Sequence, residues 1–454
     1  MRALTNTYWK QWLRWSEASV NRRIFAAAMT VGISTLAVNL AFVLRDAGVA
    51  GYFGRGDEVD AFLIAYLLPS FAINVIAGSF SAAFIPTYVQ VREDQGDQTA
   101  DRLFSGVTVW SLGLLAAIAA LLGVLSGSLL PVLASGFSGE KLALTRSLFI
   151  LFLPLIVLSG IATLWSSLLN ARKRFVISAL APIMPPLAAL AGLFAAGRAL
   201  GIFALAIGIM AGTVLQGLVL AAALKQEDIR LRPRWQGMTP ELRRVLDQYL
   251  PMVAGALLMS MTGVVDQGMA AMLDPGSVAA LSYGTKIVTF VVGLGMMAIG
   301  TAILPHFSQM AGAKDWQAIR HTLRTYARMI LLLCVPATVL LVLLAEPMIS
   351  VLFERGAFVR QDVQLVGRVL AFASLQVPFY LLGILYVRLI SSLQRNTLLL
   401  WGAAISLPLD VVLNLVFMRW MGVAGIALST SIVMVVSCCY LFLSAEYALR
   451  KAER

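Results

Sequence analysis

Apolar runs constrain this chain more than any motif does. About twelve stretches are each long enough to cross a bilayer, which takes roughly 20 residues of helix. Backbone amides and carbonyls find no water in lipid, so a spanning segment must pair them within a helix or a closed barrel. Barrel strands would alternate apolar and polar residues over about ten positions, whereas runs such as LLAAIAALLGVL (114–125) are continuous. Of the 454 residues, 59% are hydrophobic and 13% charged, against about 25% charged in soluble domains. The fold class is therefore an all-α integral membrane protein, with spans predicted at 24–44, 61–90, 104–126, 146–169, 176–197, 201–224, 249–273, 277–305, 325–345, 362–392, 398–418 and 422–445.

The net charge of +12 would suggest nucleic acid in a soluble protein. Here most Lys and Arg residues fall in alternate connecting segments, the positive-inside pattern. It places both termini on the cytoplasmic side and leaves no case for a nucleic-acid partner. Residues 1–23 carry Trp9, Trp12 and Trp15 among Arg2, Lys10, Arg14, Arg22 and Arg23, the composition of an interfacial anchor. Cys334, Cys438 and Cys439 lie in apolar spans at spacings that offer neither a disulfide framework nor a metal motif, and read as packing.

The chain divides into two similar sets of six spans. FIPTYVQ (84–90) answers ILPHFSQ (303–309), with Pro86 and Pro305 separated by 219 residues. GIFALAIG from Gly201 answers GVAGIALS from Gly422 at 221, and Asp46 answers Asp266 at 220. The expected organisation is an N-lobe over 24–224, a linker over 225–248, a C-lobe over 249–445 and a polar tail over 446–454. In the linker, TPELRRVLDQ opens with Thr239 as N-cap and Pro240 at the first helical position, predicting a short amphipathic helix. Parallel repeats of this kind place a substrate site between the copies near the midplane. Pro69 and Pro86 should bend the long second span.

A few polar groups interrupt the spans. A centrally placed Asp, Lys or Arg costs roughly 2.5–3.5 kcal/mol on insertion scales, so such residues face protein or a wet cavity. Arg45, Asp46 and Asp60 stand where the first two spans meet their loop, and Lys286 lies in the eighth. By the repeat symmetry Arg45 and Lys286 would face each other across the lobes, and they are the first choice for an anionic headgroup, since Arg offers a bidentate fork and Lys a point charge. Asp410 and Asn414 are four residues apart on one helix face. With Asp266 and Thr430 they form a set of hard oxygen ligands suited to Na+ or to a proton relay. His306 reads as interfacial, and Met296 and Met297 as packing. No P-loop or nucleophile constellation is present, so a transporter is expected and an enzyme is not.

Several stretches together resemble one family. LRDAGVAGYFG (44–54) with VDAF, LPSF and AFIP, then GSVAALSYGTKI (276–287), GTAILPHFSQ (300–309), FERGAF (353–358), LPLDVVLNLVF (407–417) and GVAGIALSTS (422–431) are similar in order to the MurJ/MviN lipid-linked glycan flippases. These belong to the multidrug/oligosaccharidyl-lipid/polysaccharide exporter superfamily. The resemblance implies two six-helix lobes in a V around a central cavity. It also implies transport of an undecaprenyl-pyrophosphate-linked saccharide such as lipid II across the inner membrane by alternating access, driven by Na+, protons or potential. The expected partners are the lipid-linked oligosaccharide, membrane lipids and cell-wall or polysaccharide synthesis proteins, with the chain itself a monomer.

By the same resemblance Arg45 and Asp60 match family residues of the first two helices, and Asn39 stands where many members have arginine. Asp46 joins these candidates, and Arg368 and Arg388 align with basic residues of the tenth helix. Na+ would be held by Asp266, Asp410, Asn414 and Thr430, with the Ile426 carbonyl as a fifth ligand. The chain departs from the pattern in the second span, where Phe71-Ala72-Ile73-Asn74 replaces an arginine pair with an apparent one-residue deletion, and Ala77-Gly78 replaces an acid. Lys286 replaces an arginine, Thr285 and Thr289 replace acids, and twelve spans stand where the peptidoglycan flippases commonly have two more. Two other readings stay open: a flippase for an exopolysaccharide or O-antigen repeat unit, and a cation-coupled multidrug exporter.

Overall fold

The computed structural model describes residues 20–227, 229, 234–235 and 237–453; the Trp9, Trp12 and Trp15 segment lies outside them. Among the described residues the secondary structure is entirely helical, and twelve helices are long and apolar enough to cross a membrane. Spans 1 to 6 are Val20–Phe53, Asp57–Gln95, Asp97–Leu133, Gly139–Ala171, Phe175–Leu200 and Ile202–Gln226. Spans 7 to 12 are Pro240–Ala270, Ser277–Gly312, Trp316–Leu343, Arg360–Ser392, Thr397–Met421 and Val423–Glu453.

Most spans run a turn or two beyond the expected bounds, and span 12 continues through the expected tail to Glu453; three others differ in kind. Span 1 continues past residue 44 to Phe53, because no proline interrupts RDAGVAGYF, and it stops where Gly54 turns to φ +63°. Arg45 and Asp46 therefore sit inside a helix and not at its mouth. The linker's amphipathic segment is no separate helix: Thr239 Oγ1 accepts from the Leu242 amide at 3.2 Å, and the helix it opens runs on to Ala270. Span 10 is broken at Leu375–Gln376 into Arg360–Ser374 and Val377–Ser392. Pro378 has no N–H for the Ser374 carbonyl, and side chains serve neighbouring carbonyls: Ser431 Oγ donates to Phe372 O at 2.6 Å and Gln376 Nε2 to Ala373 O at 2.9 Å.

Span 2 stays helical through both prolines, with one wide turn. Ile73–Ala77 is π-helical, and the Gly78 amide reaches back five residues to Ile73 O. This turn lies where the sequence departs from the pattern of the family it resembles, and Asn74 within it is exposed.

The two sixfold sets repeat their turns as well as their spans. Gly201 has φ 53°, ψ −135° and Gly422 φ 58°, ψ −139°. Positive φ also recurs at Gly54 and Gly276, at Gly96 and Lys314, and at Lys173 and Gln394. Shared torsions at corresponding turns are evidence for duplication that apolar composition cannot mimic.

Packing groups the chain into two compact units. One takes the chain up to Arg45 with Ala72–Gly123 and Leu151–Val253; the other takes Asp46–Phe71, Val124–Ile150 and Ala254–Arg454. In the first, Phe80 stacks on Tyr249 at 4.0 Å between ring centroids, with Trp110 edge-on to both. Spans 5 and 6 approach backbone to backbone, as small residues permit in membranes. A Cβ on Gly208 would lie 2.6 Å from Ala189 Cα. Gly208→Val is therefore expected to cost about 1–3 kcal/mol by overpacking, lowering the melting temperature of the detergent-solubilised protein. Leu218→Val, at an exposed position of the same span, should leave it unchanged.

Candidate functional site

The second unit holds two polar constellations. In the first, Asp60 stands in the opening turn of span 2 and is 1% exposed. Its carboxylate accepts from Lys141 Nζ at 2.8 Å and from the Gly276 and Ala279 amides at 2.6 and 2.8 Å. Those amides open span 8, whose first-turn N–H groups have no partner within the helix and carry partial positive charge. Gly276 is required here: its φ is +81°, and a Cβ would lie 2.0 Å from the Arg55 carbonyl oxygen. Lys141 Nζ also meets Asp57 at 2.6 Å, and Arg55 Nε pairs with Asp362 at 2.9 Å. The FERGAF loop packs alongside, with the Ala357 amide on Gly51 O at 2.9 Å. The resemblance placed Asp60 among substrate contacts; the structure surrounds its carboxylate with protein donors.

A little further along span 8, Lys286 Nζ lies 3.0 Å from Asp46 Oδ2, with the lysine side chain 34% exposed. In the first unit Arg45 has its guanidinium 5.2 Å from the Phe42 ring centroid, and Asn39 is half-buried one turn below Phe42. Arg368 is exposed, and Arg388 keeps Nε buried with no hydrogen-bond partner. His306 is exposed.

The second constellation assembles the predicted oxygen ligands. Asn414 Nδ2 donates to Asp266 Oδ1 at 2.7 Å and, more weakly, lies 3.4 Å from Asp410 Oδ2. Thr430 Oγ1 lies 3.0 Å from Asp266 Oδ2 and 3.1 Å from the Ile426 carbonyl. Asp410 and Asn414 are fully buried, yet Asp410 Oδ1 and Asn414 Oδ1 have no hydrogen-bond donor. Burying unmet acceptors beside two carboxylates is costly unless a cation or proton joins them. The atoms brought together are carboxylate, amide, hydroxyl and carbonyl oxygens, hard ligands by type. A cavity of about 260 Å³ reaches this cluster, lined in part by Asp266, Thr285, Thr289, Gln376 and Thr430. Gln376 sits at the break in span 10, the kind of interrupted helix that builds transporter sites.

Sequence reasoning did not single out Lys141 or the span-10 break. A lysine after Gly139-Glu140 at the start of an apolar run reads as a loop charge, and only the tertiary fold gives it carboxylate partners. The Pro378 signal was present in the sequence.

Twelve apolar spans, one of them broken, with ionisable clusters buried among them, define a multi-pass membrane protein with polar sites inside its helical bundle. A lipid II flippase MurJ solved in an inward closed conformation superposes with TM-score 0.79 at 22% identity, over 94% of this chain and 90% of that one. An inward-facing multidrug resistance MATE transporter of the MOP superfamily superposes with TM-score 0.74 at 16% identity, over 92% and 95%. The family model for lipid II flippase MurJ matches residues 49–453, and the chain belongs to that family. It is 28% identical over 429 residues to a probable lipid II flippase MurJ of Vibrio cholerae, covering 91% of this chain and 81% of the relative. It is 28% identical over 440 residues to the lipid II flippase MurJ of Burkholderia cenocepacia, covering 92% and 83%.

Proposed function

We propose that this chain is an inner-membrane flippase, with both termini cytoplasmic, that moves an undecaprenyl-pyrophosphate-linked saccharide of the lipid II class between leaflets by alternating access. The observation that carries the reading is the family match over residues 49–453. The cation Lys286, half-exposed beside Asp46 within a span, supports it. A pyrophosphate crossing a low-dielectric path needs compensating cations, and Lys286 and Arg45 supply a point charge and a planar fork. The two six-span repeats form the lobes of the transporter. Asp60, bonded to the start of span 8, closes the outer side, and Asp46 holds Lys286 until a phosphate competes for it.

Na+ fits the second constellation, because two buried acceptor oxygens there have no donor. Asp266, Asp410, Asn414, Thr430 and the Ile426 carbonyl would hold it, where it would supply the positive charge that joins the two carboxylates. A proton on the same pair is the other coupling ion the donor set accepts.

One observation favours a second cargo. The second-span arginine pair of the family pattern is replaced by Phe71-Ala72-Ile73-Asn74, so a polyprenyl-linked exopolysaccharide or O-antigen unit is the alternative. Complementation separates them. Expression in a strain depleted of its own lipid II flippase is expected to restore growth. Failure at wild-type membrane abundance would remove lipid II as cargo and leave the polysaccharide unit to be tested the same way.

A further inference from the structure

Lys141 is an unusual charge for its place in the fold. It occupies the first turn of span 4, where the helix end already carries positive partial charge and a cation is disfavoured. It is also 8% exposed, although burying an ammonium is expensive unless it is paired. Its surroundings explain the placement. Nζ lies 2.8 Å from Asp60 Oδ2, 2.6 Å from Asp57 Oδ1 and 4.0 Å from the centroid of the Phe137 ring. Asp60 meanwhile joins the openings of spans 2 and 8, and its other donors are the neutral Gly276 and Ala279 amides. Within hydrogen-bond distance of the Asp60 carboxylate, Lys141 is thus the full positive charge among the described residues.

We propose that Lys141 is the positioning residue of the outer closure: its ammonium is the counter-charge that lets the Asp60 carboxylate stay buried on the start of span 8. This rests on the reading of Asp60 as an outer clasp and adds the third element that the clasp requires. Without Lys141 the carboxylate keeps its two amide bonds but loses its compensating charge, and water must enter to solvate it. Asp57 shares the ammonium from its partly exposed position, with its side chain 57% exposed against 2% for Asp60, so Asp60 is the member that depends on the pairing.

Thiol access tests this without measuring transport. The full-length protein, with Cys334, Cys438 and Cys439 replaced by alanine, carries a reporter at Val278→Cys, a fully buried position in the first turn of span 8. A membrane-impermeant maleimide is added outside intact cells, and labelling is normalised to membrane abundance. The reporter should react slowly in the parent and in Lys141→Arg, and at least about tenfold faster in Lys141→Gln, since a broken buried pair leaves an uncompensated charge. Asp60→Asn combined with Lys141→Gln should return labelling to within about threefold of the parent, because a neutral amide oxygen needs no counter-charge. A lysine that merely packs would give no such rescue. Unchanged labelling in Lys141→Gln, or a double variant that labels as fast as the single one, overturns the proposal. Should Lys141→Gln not reach the membrane, the double variant decides: slow labelling supports the pairing and fast labelling refutes it. Growth complementation by the parent reports separately on the flippase reading.

Discussion

Purified wild-type protein should gain thermal stability in NaCl over choline chloride at equal ionic strength, and Asp410→Ala and Asp266→Ala should lose that gain. Asp410 and Asn414 are fully buried and each has one oxygen without a donor, so a cation bound there would add contacts that the unfolded chain lacks. An ion that binds only the folded state adds about 2.7 kcal/mol at a hundredfold excess over its dissociation constant. That is several times the effect of an exposed ion pair. Asp410→Ala removes one of two carboxylates while leaving Asp266 bonded to Asn414 and Thr430, so the apo protein should still fold. A sodium-dependent shift that survives in Asp410→Ala would exclude this cluster as the ion site. No shift in the wild type would assign the carboxylate pair to a proton.

What could be read before folding, and what could not, follows from the range of each interaction. The Asp410–Asn414 pair was legible because four residues return a helix to the same face, and the fold brought Asp266 and Thr430 to it. The duplication was legible from Gly201 and Gly422 because glycine marks the unusual torsion that both turns adopt. Its partner signal at Lys173 and Gln394 was silent, since neither residue type announces a positive φ. The end of span 1 was misplaced for a related reason: Arg45 and Asp46 read as the limit of an apolar run, but a helix tolerates charge where a neighbour answers it. Lys286 answers Asp46 from 240 positions away, and Lys141 answers Asp60 from 81. Such pairings leave no local trace, so a loop lysine and a buried counter-ion look alike in one sequence.

The Lys286–Asp46 pair yields a prediction of opposite signs from its two members. If Lys286 grips pyrophosphate, it must first leave Asp46, which then acts as a competitor held 3.0 Å away. Asp46→Asn should strengthen binding of a short-chain polyprenyl diphosphate several-fold while slowing its release, so turnover falls as affinity rises. Lys286→Ala should weaken the same binding by tenfold or more, as charge-assisted contacts to phosphate contribute about 1.5–3 kcal/mol, and should abolish complementation. Lys286→Arg should retain most of the affinity, because a guanidinium also bonds phosphate. Were the pair only a structural tie, both neutral variants would lower melting temperature together and neither would tighten the ligand. Equilibrium binding in detergent, measured beside a thermal melt of each variant, distinguishes the two cases: a competitor that has been removed raises affinity, whereas a broken tie cannot.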